Sequence, residues 1–206
     1  MMTGVTGFNY GSDPSGLIWG FRFKPGQTAS RINSVEAAEW LQGMQAHDPS
    51  EFIWLHFNLS NTASEKWMHE YAQVADEFNE VLHDGSRSTR IEVADKTLIA
   101  VVNDVLHSFT FESADIATLW LNVTKNVVIS ARRTPLKSIE RLRQAVEHGD
   151  QIQSSVELLV HLLRDQADVL VKIVRDAVAR VDKVEDTLLS GSCLLYTSPS
   201  PRDRQK

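Results

Sequence analysis

The sequence predicts an α/β fold of the α+β kind: a mixed β-sheet flanked by helices, followed by a long projecting amphipathic helix. Three observations predict it. The stretch "FIWLHFNL" is apolar at almost every position, as in a strand buried on both faces. Other apolar, β-branched stretches alternate with helical patterns through the first two-thirds of the chain. From Ile152 to Leu188 residues that are apolar at every position but Gln166 then step by threes and fours.

Each element follows from its own residues. Met1–Gly16 is polar and glycine-rich and reads as a flexible leader. "LIWGFRF", Leu17–Phe23, is β-branched and aromatic, a strand that "KPGQ" breaks. A helix begins at "SVEAAEWLQGM", with Ser34 expected as N-cap and Ala37 at N3, and "HDPS" ends it. Glu51–Ser60 is the second, central strand. Trp67, Met68, Tyr71, Val74, Phe78 and Leu82 fall at helical spacing, as one helix or two, before the turn "HDGSRS". A hairpin follows, Arg90–Val93 and Thr97–Val102, turning at Ala94–Lys96. Two more strands, Ala117–Thr124 and Asn126–Arg132, meet at Lys125 and Asn126. The next helix has Thr134 as expected N-cap, Pro135 at the first position and Gly149 as its stop.

The last helix presents Ile152, Val156, Leu159, Leu163, Gln166, Leu170, Val174, Ala177, Val181, Val184 and Leu188 as one stripe. Some 38 residues at 1.5 Å each span roughly 57 Å. That exceeds what a compact domain of this size covers, so the helix is expected to project or to meet another long helix. Gly191 is its expected stop. Beyond it, "SCLLYTSPSPRDRQK" has no helical period, carries prolines and the only cysteine, and reads as sequence foreign to the domain. The expected organisation is thus a leader 1–16, an α/β domain 17–149, a long helix 150–191 and a non-native tail 192–206.

Composition excludes some functions. The chain has 206 residues, 42% hydrophobic and 23% charged, with a formal net charge of -6. An acidic balance argues against nucleic acid as partner. A single cysteine, Cys193, excludes an internal disulfide and a multi-cysteine metal site. No signal peptide and no apolar run long enough to span a bilayer is present, so the chain as given is expected to be soluble.

No catalytic constellation stands out. GxGxxG, GxxxxGK[ST], HExxH and GxSxG are all absent, and the chain is not expected to be an enzyme. His56, inside a strand, is expected to be hydrogen-bonded within the sheet rather than to hold a ligand. The tryptophans Trp19, Trp54, Trp67 and Trp120 sit among apolar neighbours and read as core. Glu157, His161, Asp165 and Asp168 fall at i, i+4, i+8 and i+11 on the long helix. They are candidate ligands for a weak divalent-cation site. The alternative is a charged, solvated face flanked by Arg164 and Lys172, and it is the favoured one.

Three stretches carry a family resemblance: "FIWLHFNLSNTASEKWM", "LWLNVTKNVVISARRTPLKSIERLR" and "SSVELLVHLLRDQADVLVKIVRDAVARVDKVEDTLLSG". In this order and spacing they resemble the cytoplasmic N-terminal region of CorA-type divalent-cation transporters, and more closely the ZntB branch, linked to zinc. The likeness covers roughly residues 17–191. It implies a cytoplasmic domain of an inner-membrane transporter that works as a homo-pentamer, with zinc or magnesium as transported or regulatory ligand and no other cofactor. Family members continue with a returning helix, a stalk helix and two transmembrane helices carrying a Gly-x-Asn entrance. No position here matches those, so no pore residue is assigned and the membrane is reached only through helices outside this sequence. The rival reading is a soluble α/β interaction module that pairs through its long helix.

Overall fold

A computed structural model describes residues 11–84, 88–106 and 116–195, with side chains described as far as Ser190. Seven strands and five α-helices follow in the order β1 (Leu17–Phe23), β2 (Ser30–Ile32), α1 (Ser34–Gln42), β3 (Phe52–Asn58), α2 (Ala63–Trp67), α3 (Asp76–His83), β4 (Arg90–Ala94), β5 (Thr97–Val105), β6 (Ile116–Val123), β7 (Val127–Arg132), α4 (Lys137–Glu147) and α5 (Ser155–Leu195). A 3₁₀ turn, Met44–Ala46, follows α1, and a π-helical turn, Met68–Ala72, continues α2. The leader residues 1–10, the turn residues 85–87 and the tail residues 196–206 lie outside the described residues.

The strands form one mixed sheet in the order β2-β1-β3-β7-β6-β5-β4. β3 pairs in parallel with β7, and every other pairing is antiparallel. The fold class is therefore the one the sequence predicts.

Alternation along the strands builds two separate cores. Phe52 and Trp54 of β3 join Trp19, Phe21, Leu119 and Leu121 on one face. Ile53, Leu55 and Phe57 join Leu17, Val101 and Ile129 on the other. The first face is covered by Ile139, Leu142 and Val146 of α4 and Leu158, Leu159 and Leu162 of α5. The second is covered by α1, α2, the π turn and α3, through Ala37, Trp40, Trp67, Met68, Phe78 and Leu82. Both faces of β3 are thus dry, and all seven of its residues are buried. This is why its sequence reads as one continuous apolar run.

Several local expectations are corrected. The N-cap of α1 is Asn33, not Ser34. Its carboxamide oxygen accepts from the Val35 and Glu36 amides, while the Glu36 carboxylate accepts from the Asn33 amide, so N3 is Glu36 rather than Ala37. β2 was not anticipated, because three residues carry too little pattern. Thr134 does not cap α4. The chain stays extended through Leu136, which bridges to Leu106, and α4 starts at Lys137. Its first turn is capped instead by Asp104 of β5, whose carboxylate accepts from the Ser138 amide at 2.8 Å and the Ser138 hydroxyl at 2.7 Å. The hairpin turn narrows to Asp95 and Lys96, with Asp95 at φ 52°, and β5 runs on to Val105.

The chain divides into two compact units, Met1–Gln166 and Ala167–Lys206. The first extends beyond Gly149 because the opening turns of α5 bury Leu158, Leu159 and Leu162 in its core. Val156, a member of the expected apolar stripe, is 63% exposed, whereas Leu158 and Leu162, which lie outside that stripe, are buried. The helix also continues through Gly191 to Leu195 rather than stopping there. An interior glycine costs a helix about 1 kcal/mol, which does not force a break.

Candidate functional site

Two features stand apart from ordinary packing: a buried polar chain across the sheet and an exposed apolar stripe on α5. The polar chain is set by strand register. The parallel ladder places His56 opposite Ser130 and Asn58 opposite Arg132. The antiparallel ladder places Trp19 opposite His56. All these side chains emerge on the face covered by α4.

His56 is fully buried. Its Nδ1 lies 2.7 Å from the Ser130 hydroxyl, and Arg132 Nε donates to its Nε2 at 3.1 Å. Trp54 Nε1 also donates to Ser130 Oγ at 2.8 Å. Ser130 in turn donates to the Leu55 carbonyl at 3.4 Å. The indole of Trp19 stacks on the imidazole with centroids 4.1 Å apart. Arg143 of α4 lies over that indole, 5.5 Å from its centroid, and is itself held by Glu140 and Glu147.

The electrostatics follow from burial. Desolvation and then the neighbouring guanidinium of Arg132 hold the imidazole well below the usual histidine range. Burial also lowers Arg132, against the opposing pull of Glu140. Burial raises the Asp104 carboxyl, against its hydrogen bonds from Ser138 and Val105. His56 therefore sits neutral, with its free lone pair engaged by an arginine N–H and no solvent access. That rules it out as a base toward a bound substrate. It works as a pin between β1, β3 and β7, in keeping with the expectation of a histidine hydrogen-bonded within the sheet.

The stripe lies in the second unit. Leu170, Val174, Val178, Val181, Val184 and Leu188 recur at spacings of three and four, and each is exposed. An exposed apolar face of this length is uncommon on the surface of a monomeric protein.

The four residues singled out as metal candidates do not converge. Glu157 accepts from the Gln153 amide at 2.7 Å, at the entry to α5. Asp165 pairs with Arg141 at 3.5 Å. His161 is half-buried and Asp168 is exposed. No group of three or more His, Cys, Asp or Glu is placed to hold a metal among the described residues. What sequence reasoning missed is the polar set Asp104, Ser130 and Arg132. A signal was there for two of them: Ser130 and Arg132 alternate inside the apolar "VVISAR", as His56 does in its own strand.

Comparisons with known proteins agree with this architecture. Residues 49–194 match the family described as CorA-like Mg2+ transporter protein. The chain is 25% identical over 181 residues to the divalent cation transporter CmaX of Pseudomonas aeruginosa, covering 84% of this chain and 51% of that protein. It therefore spans about half the length of this curated relative. The structure of full-length CmaX superposes with a TM-score of 0.72 at 21% identity, over 85% of this chain and 53% of that one. The ZntB cytoplasmic domain from Vibrio parahaemolyticus gives 0.60 at 14% identity, over 80% and 64%. The soluble domain of CorA from Methanocaldococcus jannaschii gives 0.59 at 15%, over 83% and 64%. Among the described residues no helix is long and apolar enough to cross a membrane. With the family match running from the start of β3 to the end of α5, the chain belongs to the CorA-like Mg2+ transporter family.

Proposed function

We propose that this chain is the cytoplasmic part of an inner-membrane divalent-cation transporter, with zinc or magnesium as the cargo, and that it biases the gate. The observation that carries this reading is the alignment of 84% of the chain with half of a divalent cation transporter. The exposed stripe of α5 supports a second part of it: copies of the chain associate through this helix, in the pentamer that the family resemblance implies. Burying exposed Leu and Val side chains, at about 25 cal/mol per Å² removed from water, favours such association.

A domain exchange tests the reading. The matching region of CmaX is replaced by residues 17–190 of this chain, and divalent-cation uptake into proteoliposomes is followed with zinc and with magnesium. Uptake that persists, and that shifts when the exchanged domain is altered, supports a gating domain. A chimera that inserts and assembles but conducts identically with and without the domain would leave the soluble interaction module as the better account.

A further inference from the structure

The stripe on α5 has a register as well as a length. Leu170, Val174, Ala177, Val181, Val184 and Leu188 alternate strictly by four and three. That makes Val174, Val181 and Leu188 the a positions of a heptad repeat and Leu170, Ala177 and Val184 the d positions. All of these but Ala177 are exposed. The flanks of the seam are then fixed too. Val171 and Val178 fall at e and Ile173 at g, so the first half of the seam is broad and apolar. Arg180 falls at g and Glu185 at e, so the second half is flanked by one charge of each sign, and both are exposed.

These two charges choose the direction of a second copy, because charged e and g positions set the orientation of paired helices. In a parallel, in-register pair, g of one helix faces the e position that follows it in the repeat on the other. Arg180 then meets Glu185 of the second copy, and symmetry repeats the contact on the other side of the seam. Reversing one helix while keeping the same stripe covered sets a against d, with Val174 opposite Val184 and Val181 opposite Ala177. It also sets g against g. Arg180 then meets Arg180 of the second copy, and Glu185 lies opposite Val171. The parallel arrangement pairs both charges, and the antiparallel one pairs neither.

We propose that α5 binds a second copy of this chain in parallel and in register, through the stripe from Leu170 to Leu188, with Arg180 of each helix paired to Glu185 of the other. The proposal rests on the association of copies through α5 put forward above, and adds its direction and register. Parallel contacts repeat about a rotation axis, so the same seam serves a pair or a closed ring.

The test uses the full chain with Cys193→Ser, so that a single introduced cysteine reports on the seam. Val174→Cys lies in the seam, and Lys172→Cys, on the far side of the helix, is the control. Both are oxidised with glutathione disulfide at a concentration where sedimentation shows association. The Val174→Cys chain should form disulfide-linked dimer about tenfold faster or more, since only in a parallel seam do its two α-carbons come within the roughly 4.4–6.8 Å that a disulfide spans. A Val174→Cys chain that links to a Val184→Cys chain but not to itself overturns the proposal in favour of an antiparallel seam. Equal rates from the two positions in an associated chain overturn it and leave association standing on another surface. A chain that stays monomeric overturns it together with the association it rests on. Charge reversal is the second readout. Arg180→Glu turns two attractive contacts repulsive and should weaken association about tenfold, and adding Glu185→Arg should restore it. In an antiparallel seam Arg180→Glu only exchanges one like-charged pair for another. Association unchanged by Arg180→Glu, or a loss that Glu185→Arg does not reverse, therefore overturns the proposal.

Discussion

Arg132 donates its Nε hydrogen to Nε2 of His56 at 3.1 Å, across the parallel seam of the sheet. That nitrogen must therefore be the unprotonated one, and the ring's hydrogen sits on Nδ1, directed at Ser130. Ser130 Oγ then accepts from both His56 and Trp54 and donates to the Leu55 carbonyl, so these hydrogen bonds coexist only while the imidazole is neutral.

This gives a pH dependence with a definite sign. The folded-state pKa of His56 lies well below the unfolded value near 6.5, so between those two values the unfolded chain binds the extra proton. Stability is lost as pH falls below about 6.5, by up to about 1.4 kcal/mol per pH unit from this one group. His56→Asn, which keeps a donor toward Ser130, should be less stable at neutral pH but should flatten that part of the profile. Urea denaturation from pH 7.5 down to pH 5 reads both. An unchanged slope in the variant would show that His56 is not the group responsible.

Asp104 is the cap of a helix that starts 33 residues later. Asp104→Ala strands the Ser138 amide and hydroxyl in a buried site, and should cost about 2–4 kcal/mol. Hydrogen exchange should locate the loss at the first turn of α4, around Ser138 and Ile139, before it appears in the sheet.

Gly16 precedes β1 at φ 86°, and a β-carbon there would come within 1.9 Å of the Ser64 hydroxyl, which is donating to the Asn58 carbonyl. Gly16→Ala thus meets both a disfavoured backbone and an occupied space. A loss of about 2–4 kcal/mol in thermal or chemical unfolding is expected.

The α5 stripe makes a contrasting prediction, on association rather than on folding. Val174→Glu together with Val181→Glu places charge on two exposed positions of the face. Sedimentation should show the chain shifting from self-associated to monomeric, with the unfolding midpoint of the α/β unit unchanged within error. Association that survives both charges would assign it to another surface.

Much of the fold could be read from residues alone, and the gaps have physical reasons. β3 and α5 were legible because burial on two faces and a sustained helical period each leave a long pattern. The cap of α1 is written in "NSVE", where Asn33 and Glu36 stand at capping-box spacing, but the adjacent Ser34 is an equally good local cap signal. The cap of α4 was not, because Thr134 and Pro135 form a good local start signal that the Leu106–Leu136 bridge overrides. The partners of His56 depend on the β3–β7 register, and nothing local sets that. For the four α5 candidates, regular spacing shows only that they share a helix; that Glu157 accepts from the Gln153 amide and Asp165 pairs with Arg141 is set by contacts outside that pattern.

The parallel seam also dictates a timetable for synthesis. His56 and Ser130 are 74 residues apart, and β3 has no second neighbour until β7 exists. A ribosome adding about 5–20 residues per second leaves β3 waiting roughly 4–15 s with one side of its ladder unpaired. During that interval its two oily faces are a target for holdase chaperones and for pairing with nascent neighbours. The β5–β6–β7 meander, whose pairings are local in sequence, is expected to close before β3 docks on β7.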